Sequence, residues 1–173
     1  MPLTLLLLRH AKSSHADVNL GDHKRPLSSR GQRDAANIAQ YMKEADLKPD
    51  YILCSTALRA MKTVEPILKV WGKTAVSYKD GLYLCSTSGA MDYLRTAADA
   101  RRVLLVGHNP TMEDLLDQIV NRSAKHPFPI KNAVAKYPTG MLTELSIQKD
   151  RWIDLSKSCG QLIRFIPPRT LCE

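Results

Sequence analysis

The sequence lacks long hydrophobic runs: the apolar run at residues 5–8 is as long as any in the chain. A membrane-spanning helix requires about 20 consecutive apolar residues, so we expect none here. The first residues carry neither a basic stretch nor a small-residue cleavage site, and we therefore expect no secretory signal. Glycine (8 residues) and proline (10 residues) are too few and too scattered for a low-complexity or collagen-like chain.

Cysteine is also scarce, and its spacing does not indicate a metal site. The chain has 4 cysteines, without a C-x-x-C pair or a zinc-finger spacing to histidine: Cys54, Cys85, Cys159 and Cys172. We therefore expect reduced thiols and a cytoplasmic protein. Cys54 ends an apolar segment, which favours a buried side chain that packs as a small hydrophobic residue.

A dense basic segment is absent, although positive charge is in excess. The chain has 25 Lys and Arg against 17 Asp and Glu, a formal net charge of +8. This excess favours anionic partners, which include a phosphate-bearing substrate, an acidic protein and nucleic acid. Because the basic residues are spread along the chain, nucleic-acid binding is disfavoured, and a solvated basic surface explains the excess equally well.

The size and the remaining composition indicate one globular unit. The chain has 173 residues, of which 44% are hydrophobic and 24% are charged. That is enough apolar surface for one core but not for two. We therefore expect residues 1–173 to form a single domain.

Apolar segments predict strands that alternate with helices. Apolar segments predict buried parallel strands at residues 3–8 and 103–106 and a short strand at residues 51–54, and a weaker pattern predicts a strand at residues 75–78. Apolar residues at helical spacing predict helices, at residues 29–45, 88–98 and 111–120. A further helix is expected with Ser55 as its N-cap, a kink or division at Pro66 and its end at Gly72.

The rest of the chain predicts an antiparallel edge and two loops. Alternating segments at residues 141–147 and 151–155 predict a pair of antiparallel edge strands. Residues 11–28 and 121–140 are predicted loops. The order of elements predicts a three-layer α/β/α sandwich around a mostly parallel central sheet with an antiparallel edge.

Histidine and arginine stand at the ends of the predicted strands. The first strand runs into Arg9 and His10, and the fourth runs into His108. The second leads into a helix whose first turn carries Arg59. Because the carboxyl ends of parallel strands meet at one edge of a sheet, we expect these side chains around one pocket. Each alone could be a surface cation or a packing residue, but the set favours a site.

Such a pocket suits a phosphoryl group. Guanidinium groups bind its oxygens in pairs and stay charged, and the first turn of a helix adds backbone N–H donors. A neutral histidine is a nucleophile near pH 7, and a protonated histidine donates to an oxyanion. These residue types favour phosphoryl transfer through a covalent phosphohistidine, with no metal and no cofactor, because cationic side chains supply the positive charge.

Several motifs in a fixed order resemble those of a known family. The likeness extends from residue 3 to about residue 155, through LRHAKS at 8–13, RPLS at 25–28, RG at 30–31, CSTALRA at 54–60, GLYL at 81–84, VGHNP at 106–110 and PTG at 138–140. The first motif resembles the RHG signature of the histidine phosphatase superfamily (branch 1), with alanine in place of the glycine. The following Lys-Ser is similar to the SixA-like phosphohistidine phosphatases, which implies a phosphoglycerate-mutase-like fold.

The resemblance implies a role for each polar residue of the pocket. His10 would be the nucleophile that accepts the phosphoryl group. Arg9 and Arg59 would hold its oxygens, and His108 would donate to them as charge develops. Arg25 would join this clamp from the long first loop.

Other polar residues near the motifs receive weaker interpretations. Lys12 and Ser13 follow the nucleophile and are candidates for binding substrate at the pocket mouth. The remaining histidines are interpreted as surface residues: His15, His23 and His126.

One departure from the family pattern concerns the general acid. Larger members carry an acidic residue just before the stretch that matches Leu82, and Gly81 occupies that place here. Asp80, one residue away, is a possible general acid, or the chain has none. An alkoxide leaving group needs a proton donor, whereas phosphohistidine leaves as an imidazole and needs far less help. The departure therefore favours phosphohistidine or another activated phosphate.

Three functions follow from these observations. We expect a metal-independent phosphatase acting on phosphohistidine in a protein, because the short chain has no obvious insertion over the strand ends. The alternative enzyme is a phosphatase or phosphomutase acting on a small-molecule phosphate ester, although a mutase needs an enclosed site. A non-catalytic module that binds phosphate or nucleic acid is the third, and it gives no reason for two histidines at strand ends. The expected partner is a phosphorylated protein or a small-molecule phosphate, not a membrane or nucleic acid.

Overall fold

The structure, a computed structural model, describes residues 2–127 and 137–171. Within these residues, six strands form one sheet: β1 Leu3–Arg9, β2 Tyr51–Ser55, β3 Ala75–Lys79, β4 Arg102–Gly107, β5 Leu142–Ile147 and β6 Gly160–Ile166. Their order is β3-β2-β4-β1-β5-β6. The first four in this order are parallel, and β5 and β6 pair antiparallel at one edge. The predicted mostly parallel sheet with an antiparallel edge is confirmed.

Helices cover both faces of the sheet. Within the described residues they are α1 Ser29–Glu44, α2 Leu58–Trp71, α3 Thr87–Arg95 and α4 Thr111–Ile119. One core cluster joins α1 and α2 to the sheet, and a second joins α3 and α4 to its other face. The three-layer α/β/α architecture is therefore confirmed. None of these helices is long and apolar enough to cross a membrane.

The central strand β1 shows how burial produces a continuous apolar run. Leu5 and Leu7 belong to the core under α3 and α4, whereas Leu6 and Leu8 belong to the core under α1 and α2. All four are fully buried. Because successive side chains of a strand point to opposite faces, a strand covered on both faces has no polar position along its length. The run therefore stops at the edge of the sheet, where Arg9 stands.

The prediction of a strand at residues 151–155 is wrong. This segment contains the short 3-10 helix Trp152–Asp154. Trp152 and Leu155 are buried, and the Trp152 indole donates to the carbonyl oxygen of Ala100 at 2.6 Å. Buried residues three apart suit a helical turn, because in a strand Trp152 and Leu155 would point to opposite faces. The strand that pairs with β5 is β6, which lies after Cys159 in a segment without a predicted element.

The start of α2 also differs from its prediction. Ser55 ends β2, and α2 begins three residues later, with Ala57 at its N-cap position. The helix then continues through Pro66 without division. Proline removes only one backbone donor, and the flanking Val64 and Ile67 are fully buried against the sheet, which stabilises both halves.

The cysteines follow their prediction where the structure describes them. Cys54 is fully buried at the end of β2, and burial raises the pKa of its thiol. Cys54, Cys85 and Cys159 are free thiols. Cys172 and part of the predicted loop at residues 121–140 lie outside the described residues.

Candidate active site

The ends of β1, β2 and β4 meet at one edge of the sheet. Arg9 pairs in register with Gly107, so His10 and His108 leave their strands side by side. Their ring centroids lie 5.0 Å apart. An open cleft at this edge is lined by each residue predicted to be catalytic or to bind substrate: Arg9, His10, Lys12, Ser13, Arg25, Arg59 and His108. The predicted acid Asp80 does not line it.

His10 is held as a neutral imidazole. Its Nδ1–H donates to the carbonyl oxygen of Ala11 at 2.7 Å, which leaves Nε2 without a proton. Nε2 accepts from Nε–H of Arg59 at 3.2 Å. Burial lowers the pKa of His10 to about 4, and the positive charges of Arg59 and Arg9 contribute. The ring therefore presents an unprotonated, nucleophilic nitrogen at neutral pH.

His108 occupies the opposite side of the same cleft. Its Nε2 lies 2.8 Å from the hydroxyl oxygen of Ser55. Its Nδ1 is buried and has no hydrogen-bond partner among the described residues. Burial is the largest cause that lowers the pKa of His108 to about 3, and the neighbouring His10 and Arg59 also lower it. A buried polar nitrogen without a partner is costly, and an anion bound in the cleft would supply both an acceptor and a compensating negative charge.

Arg9 is fixed by a residue that the sequence did not single out. Its Nη1 donates to the carbonyl oxygen of Tyr137 at 2.7 Å. The Tyr137 ring is buried, and its hydroxyl donates to the carbonyl oxygen of Leu7 at 3.0 Å and is 2.8 Å from the Thr143 hydroxyl oxygen. The Nε–H of Arg9 is buried and has no partner within the described part of the chain. Arg9 thus lines the cleft with its guanidinium group held by Tyr137 and with one donor unused.

Thr63 joins the histidine segment to the arginine helix. Its hydroxyl donates to the carbonyl oxygen of Arg59 at 2.7 Å and accepts from the backbone N–H of Ala11 at 3.0 Å. Thr63 is fully buried. These two bonds fix the backbone beside His10 relative to the first turn of α2.

The first loop brings Arg25 to the cleft. Its Nε donates to the carbonyl oxygen of Ser14 at 3.0 Å, and its Nη2 donates to the Ser13 hydroxyl at 2.6 Å and contacts His15 Nε2. Ser13 is buried behind it, and Lys12 is exposed at the mouth. The loop thus adds a third guanidinium group to those of Arg9 and Arg59.

The same loop places an acidic residue that sequence reasoning missed. The carboxylate of Asp22 accepts from Arg59 Nη2 at 2.9 Å, from Arg25 Nη1 at 2.8 Å and from the Tyr83 hydroxyl at 2.6 Å. The bond from Tyr83, together with the two arginines, lowers the pKa of Asp22 to about 2. The only signal in the sequence was its position three residues before Arg25, and an irregular loop does not predict contacts with α2.

Asp80 and His23 lie beside the cleft rather than in it. The Thr56 hydroxyl donates to the Asp80 carboxylate at 2.7 Å and is 3.0 Å from His23 Nε2. The His23 ring packs edge-on against Tyr83, with centroids 4.8 Å apart. The interpretation of three surface histidines is thus correct for His15, which is exposed, and wrong for His23 and His126, which are half-buried by contacts with neighbouring elements.

The fold and the cleft define a class: α/β proteins whose sheet edge brings two imidazoles and several guanidinium groups together, an arrangement that suits an anion. The family model of the histidine phosphatase superfamily (branch 1) matches residues 5–83. The chain is therefore similar to members of this superfamily, and its fold is similar to that of SixA-like proteins. Within the described residues, no group of three or more His, Cys, Asp or Glu side chains is arranged to hold a metal ion.

Individual relatives match nearly the whole chain. The uncharacterized protein Rv1276c of Mycobacterium tuberculosis is 29% identical over 163 residues, which cover 94% of this chain and 100% of the relative. The structure of a candidate phosphohistidine phosphatase SixA from Nakamurella multipartitia has a TM-score of 0.84 and 28% identity, covering 97% of each chain. A second candidate SixA, from Agrobacterium tumefaciens, has a TM-score of 0.82 and 28% identity, covering 97% of this chain and 99% of its own.

Proposed function

We propose that this phosphatase transfers a phosphoryl group to Nε2 of His10 and then to water, and that its substrate is phosphohistidine in a protein. The observation that carries the proposal is the state of His10: its Nδ1–H donates to Ala11, and its unprotonated Nε2 accepts from Nε–H of Arg59 at 3.2 Å, a bond that is released when Nε2 attacks. A nitrogen lone pair beside a cationic oxygen-binding group is the arrangement that attack on a phosphoryl phosphorus requires.

The first step needs no proton transfer from the protein. Nε2 of His10 forms a bond to phosphorus while the bond from phosphorus to the substrate nitrogen breaks. The substrate imidazole, protonated on its other nitrogen, keeps the electron pair and leaves as a neutral ring. Arg9, Arg25 and Arg59 hold the phosphoryl oxygens, and the unpartnered Nδ1 of His108 donates to one of them when that nitrogen carries the proton.

Water completes the cycle. It attacks phosphorus, the bond from phosphorus to Nε2 breaks, and both hydrogens of the water remain with the phosphate that leaves. His10 returns to the neutral ring with its proton on Nδ1. The bond to Ala11 keeps this tautomer through both steps.

The surroundings of the cleft support an activated phosphate as substrate. Asp80, the residue proposed from the sequence as an acid, is bonded to Thr56 and is not part of the cleft lining. Asp22 reaches the cleft but is held ionised by its partners, so it does not carry a proton to donate. A leaving imidazole needs little protonation, whereas an alkoxide needs an acid. The two structural relatives described as phosphohistidine phosphatases support the same substrate.

The experiment is to trap the intermediate. The protein is mixed with a ³²P-labelled phosphohistidine protein, quenched in base, digested and mapped. We expect an acid-labile, base-stable label on His10, and no label or turnover in His10→Ala with an unchanged circular dichroism spectrum. The control is His126→Ala, whose ring contacts Asn121 and the backbone of Leu162, and which should keep wild-type turnover.

Three results would overturn the proposal. Wild-type turnover in His10→Ala would remove His10 as the phosphoryl acceptor. A kcat/KM much higher on a simple alkyl phosphate than on the phosphohistidine protein would replace the substrate class by a phosphate ester. Binding without any turnover would leave the phosphate-binding module as the function.

A further inference from the structure

Asp22 is the acidic residue in direct contact with the arginines of the cleft. Four hydrogen bonds converge on it: Arg59 Nη2, Arg25 Nη1 and the Tyr83 hydroxyl reach its carboxylate, and Arg59 Nη1 donates to its backbone carbonyl oxygen at 2.6 Å. The proposed function gives two of these residues, Arg59 and Arg25, to the phosphoryl oxygens. The carboxylate therefore uses donors that the substrate needs.

A carboxylate and a phosphoryl group compete for the same guanidinium edge. Each presents two oxygens at similar spacing to the paired N–H groups of arginine. One Nη–H cannot serve a carboxylate oxygen and a phosphoryl oxygen with full strength at the same time. A bound phosphoryl group would thus take the two arginine bonds, which together with the larger effect of the Tyr83 hydroxyl keep Asp22 ionised.

Both arginines have other partners that hold them without the carboxylate. Arg59 also donates from Nε to His10 and from Nη1 to the backbone of Asp22. Arg25 also donates to Ser14 and Ser13. The Asp22 side chain is 48% exposed, so it can turn into solvent when an anion displaces it. Displacement of the Asp22 carboxylate would free N–H donors of Arg59 and Arg25, and the remaining hydrogen bonds would still hold both arginines in place.

We propose that Asp22 is an affinity-determining residue, an internal carboxylate that occupies the Arg59 and Arg25 donors and must be displaced by the phosphoryl group. It lowers the affinity of the cleft for phosphate and so promotes release of the product. The inference rests on the proposed function, because it assigns those arginines to the phosphoryl oxygens.

The test measures binding of inorganic phosphate by calorimetry at pH 7 and constant ionic strength. Asp22→Asn keeps the backbone carbonyl and the side-chain shape but removes the charge, and we expect it to bind phosphate about tenfold tighter or more, the size of one charge-assisted contact. Asp17→Asn is the matched control, since it removes the same charge from the same loop. Asp17 is exposed and contacts only the backbone of Asn19 among the described hydrogen bonds. The phosphate affinity of Asp17→Asn should therefore differ from that of the wild type by less than about twofold.

The sign of the change decides the result. Equal or weaker binding by Asp22→Asn would show that Asp22 positions the arginines and would overturn the inference, and Asp22→Ser repeats the test with a smaller side chain. If turnover through His10 stands while Asp22→Asn leaves phosphate affinity unchanged, only the role of Asp22 fails. If neither the wild type nor any variant binds phosphate, both the role of Asp22 and the proposed function fail.

Discussion

The two imidazoles of the cleft are buried next to positive charge, and this makes the stability of the protein depend on pH. In an unfolded chain a histidine titrates near pH 6.5. In the folded protein the pKa falls to about 4 for His10 and to about 3 for His108. Between these values the unfolded chain binds more protons than the folded one, so the free energy of unfolding falls as the pH falls.

We predict that this loss begins near pH 6.5 and continues until the pH reaches the folded pKa, about 4 for His10 and about 3 for His108, with a slope of up to about 1.4 kcal/mol per pH unit for each histidine. His108→Gln removes one of the two titrating groups, and its slope between pH 6 and pH 4.5 should be clearly smaller than that of the wild type. Urea unfolding at a series of pH values measures both slopes. The same slope in both proteins would contradict the burial of a neutral His108. Asp22, with a pKa of about 2, titrates below this window.

Residues at strand ends could be located from the sequence pattern, whereas the loop residue Arg25 was named only through the family resemblance and Asp22 was not named. His10 and His108 each follow an apolar run, and the parallel register carries both to one edge. Asp22 and Tyr83 meet Arg59 only because an irregular loop and the segment after β3 fold over the start of α2. No periodicity in the sequence encodes such contacts. The catalytic roles remain predictions, and the trapping experiment tests them.

At the scale of elements, two helices begin in the same way but against different surroundings. In α1 the hydroxyl of Ser28 accepts from the N–H of Gly31, and in α3 the hydroxyl of Ser86 accepts from the N–H of Gly89. A Cβ at Gly31 would lie 2.0 Å from the carbonyl oxygen of Lys12. A Cβ at Gly89 would meet its nearest neighbour, the Ser86 hydroxyl, at 3.5 Å. The first helix is therefore seated on the backbone that follows His10.

This pair gives a matched prediction. Alanine favours a helix over glycine by about 1 kcal/mol, so Gly89→Ala should leave the free energy of unfolding unchanged or raise it by up to that amount. Gly31→Ala should lower it by about 1–3 kcal/mol, because the obstructing atom belongs to the backbone and cannot rotate away. Thermal and urea unfolding of the two variants check the difference. Equal stability of the two would refute the close contact between α1 and the segment after His10.

Strands and helices could be predicted from the sequence where burial leaves a clear pattern of apolar residues. Strands covered on both faces are apolar throughout, and helices show one apolar stripe, so their positions followed from the sequence. At residues 151–155 the prediction failed because Ile153, Asp154 and Leu155 alternate between apolar and polar in the sequence. In the structure Ile153 is exposed, and the buried residues are Trp152 and Leu155. The β6 strand was missed because most of its residues are only half-buried, which leaves a weak period of two.

At the scale of the whole molecule, one sheet separates two cores. The chain has 2 tryptophans, and they lie on opposite faces. Trp152 is fully buried in the core under α3 and α4, whereas Trp71 packs at the margin of the core under α1 and α2. The strands between the two cores are common to both, so neither core keeps its sheet surface when the other unfolds. Loss of one core should therefore remove the other.

We predict that residues 1–173 unfold in a single cooperative transition. Trp71→Phe leaves Trp152 as the only indole and reports on one face, and Trp152→Phe leaves Trp71 and reports on the other. The second variant also loses the hydrogen bond to Ala100 and should be the less stable of the two. Within each variant, the urea midpoint from tryptophan fluorescence should equal the midpoint from far-ultraviolet circular dichroism, because a shared sheet couples the faces. Midpoints that separate in either variant would show that the two cores unfold independently, and would divide the chain into two units where the sequence predicts one.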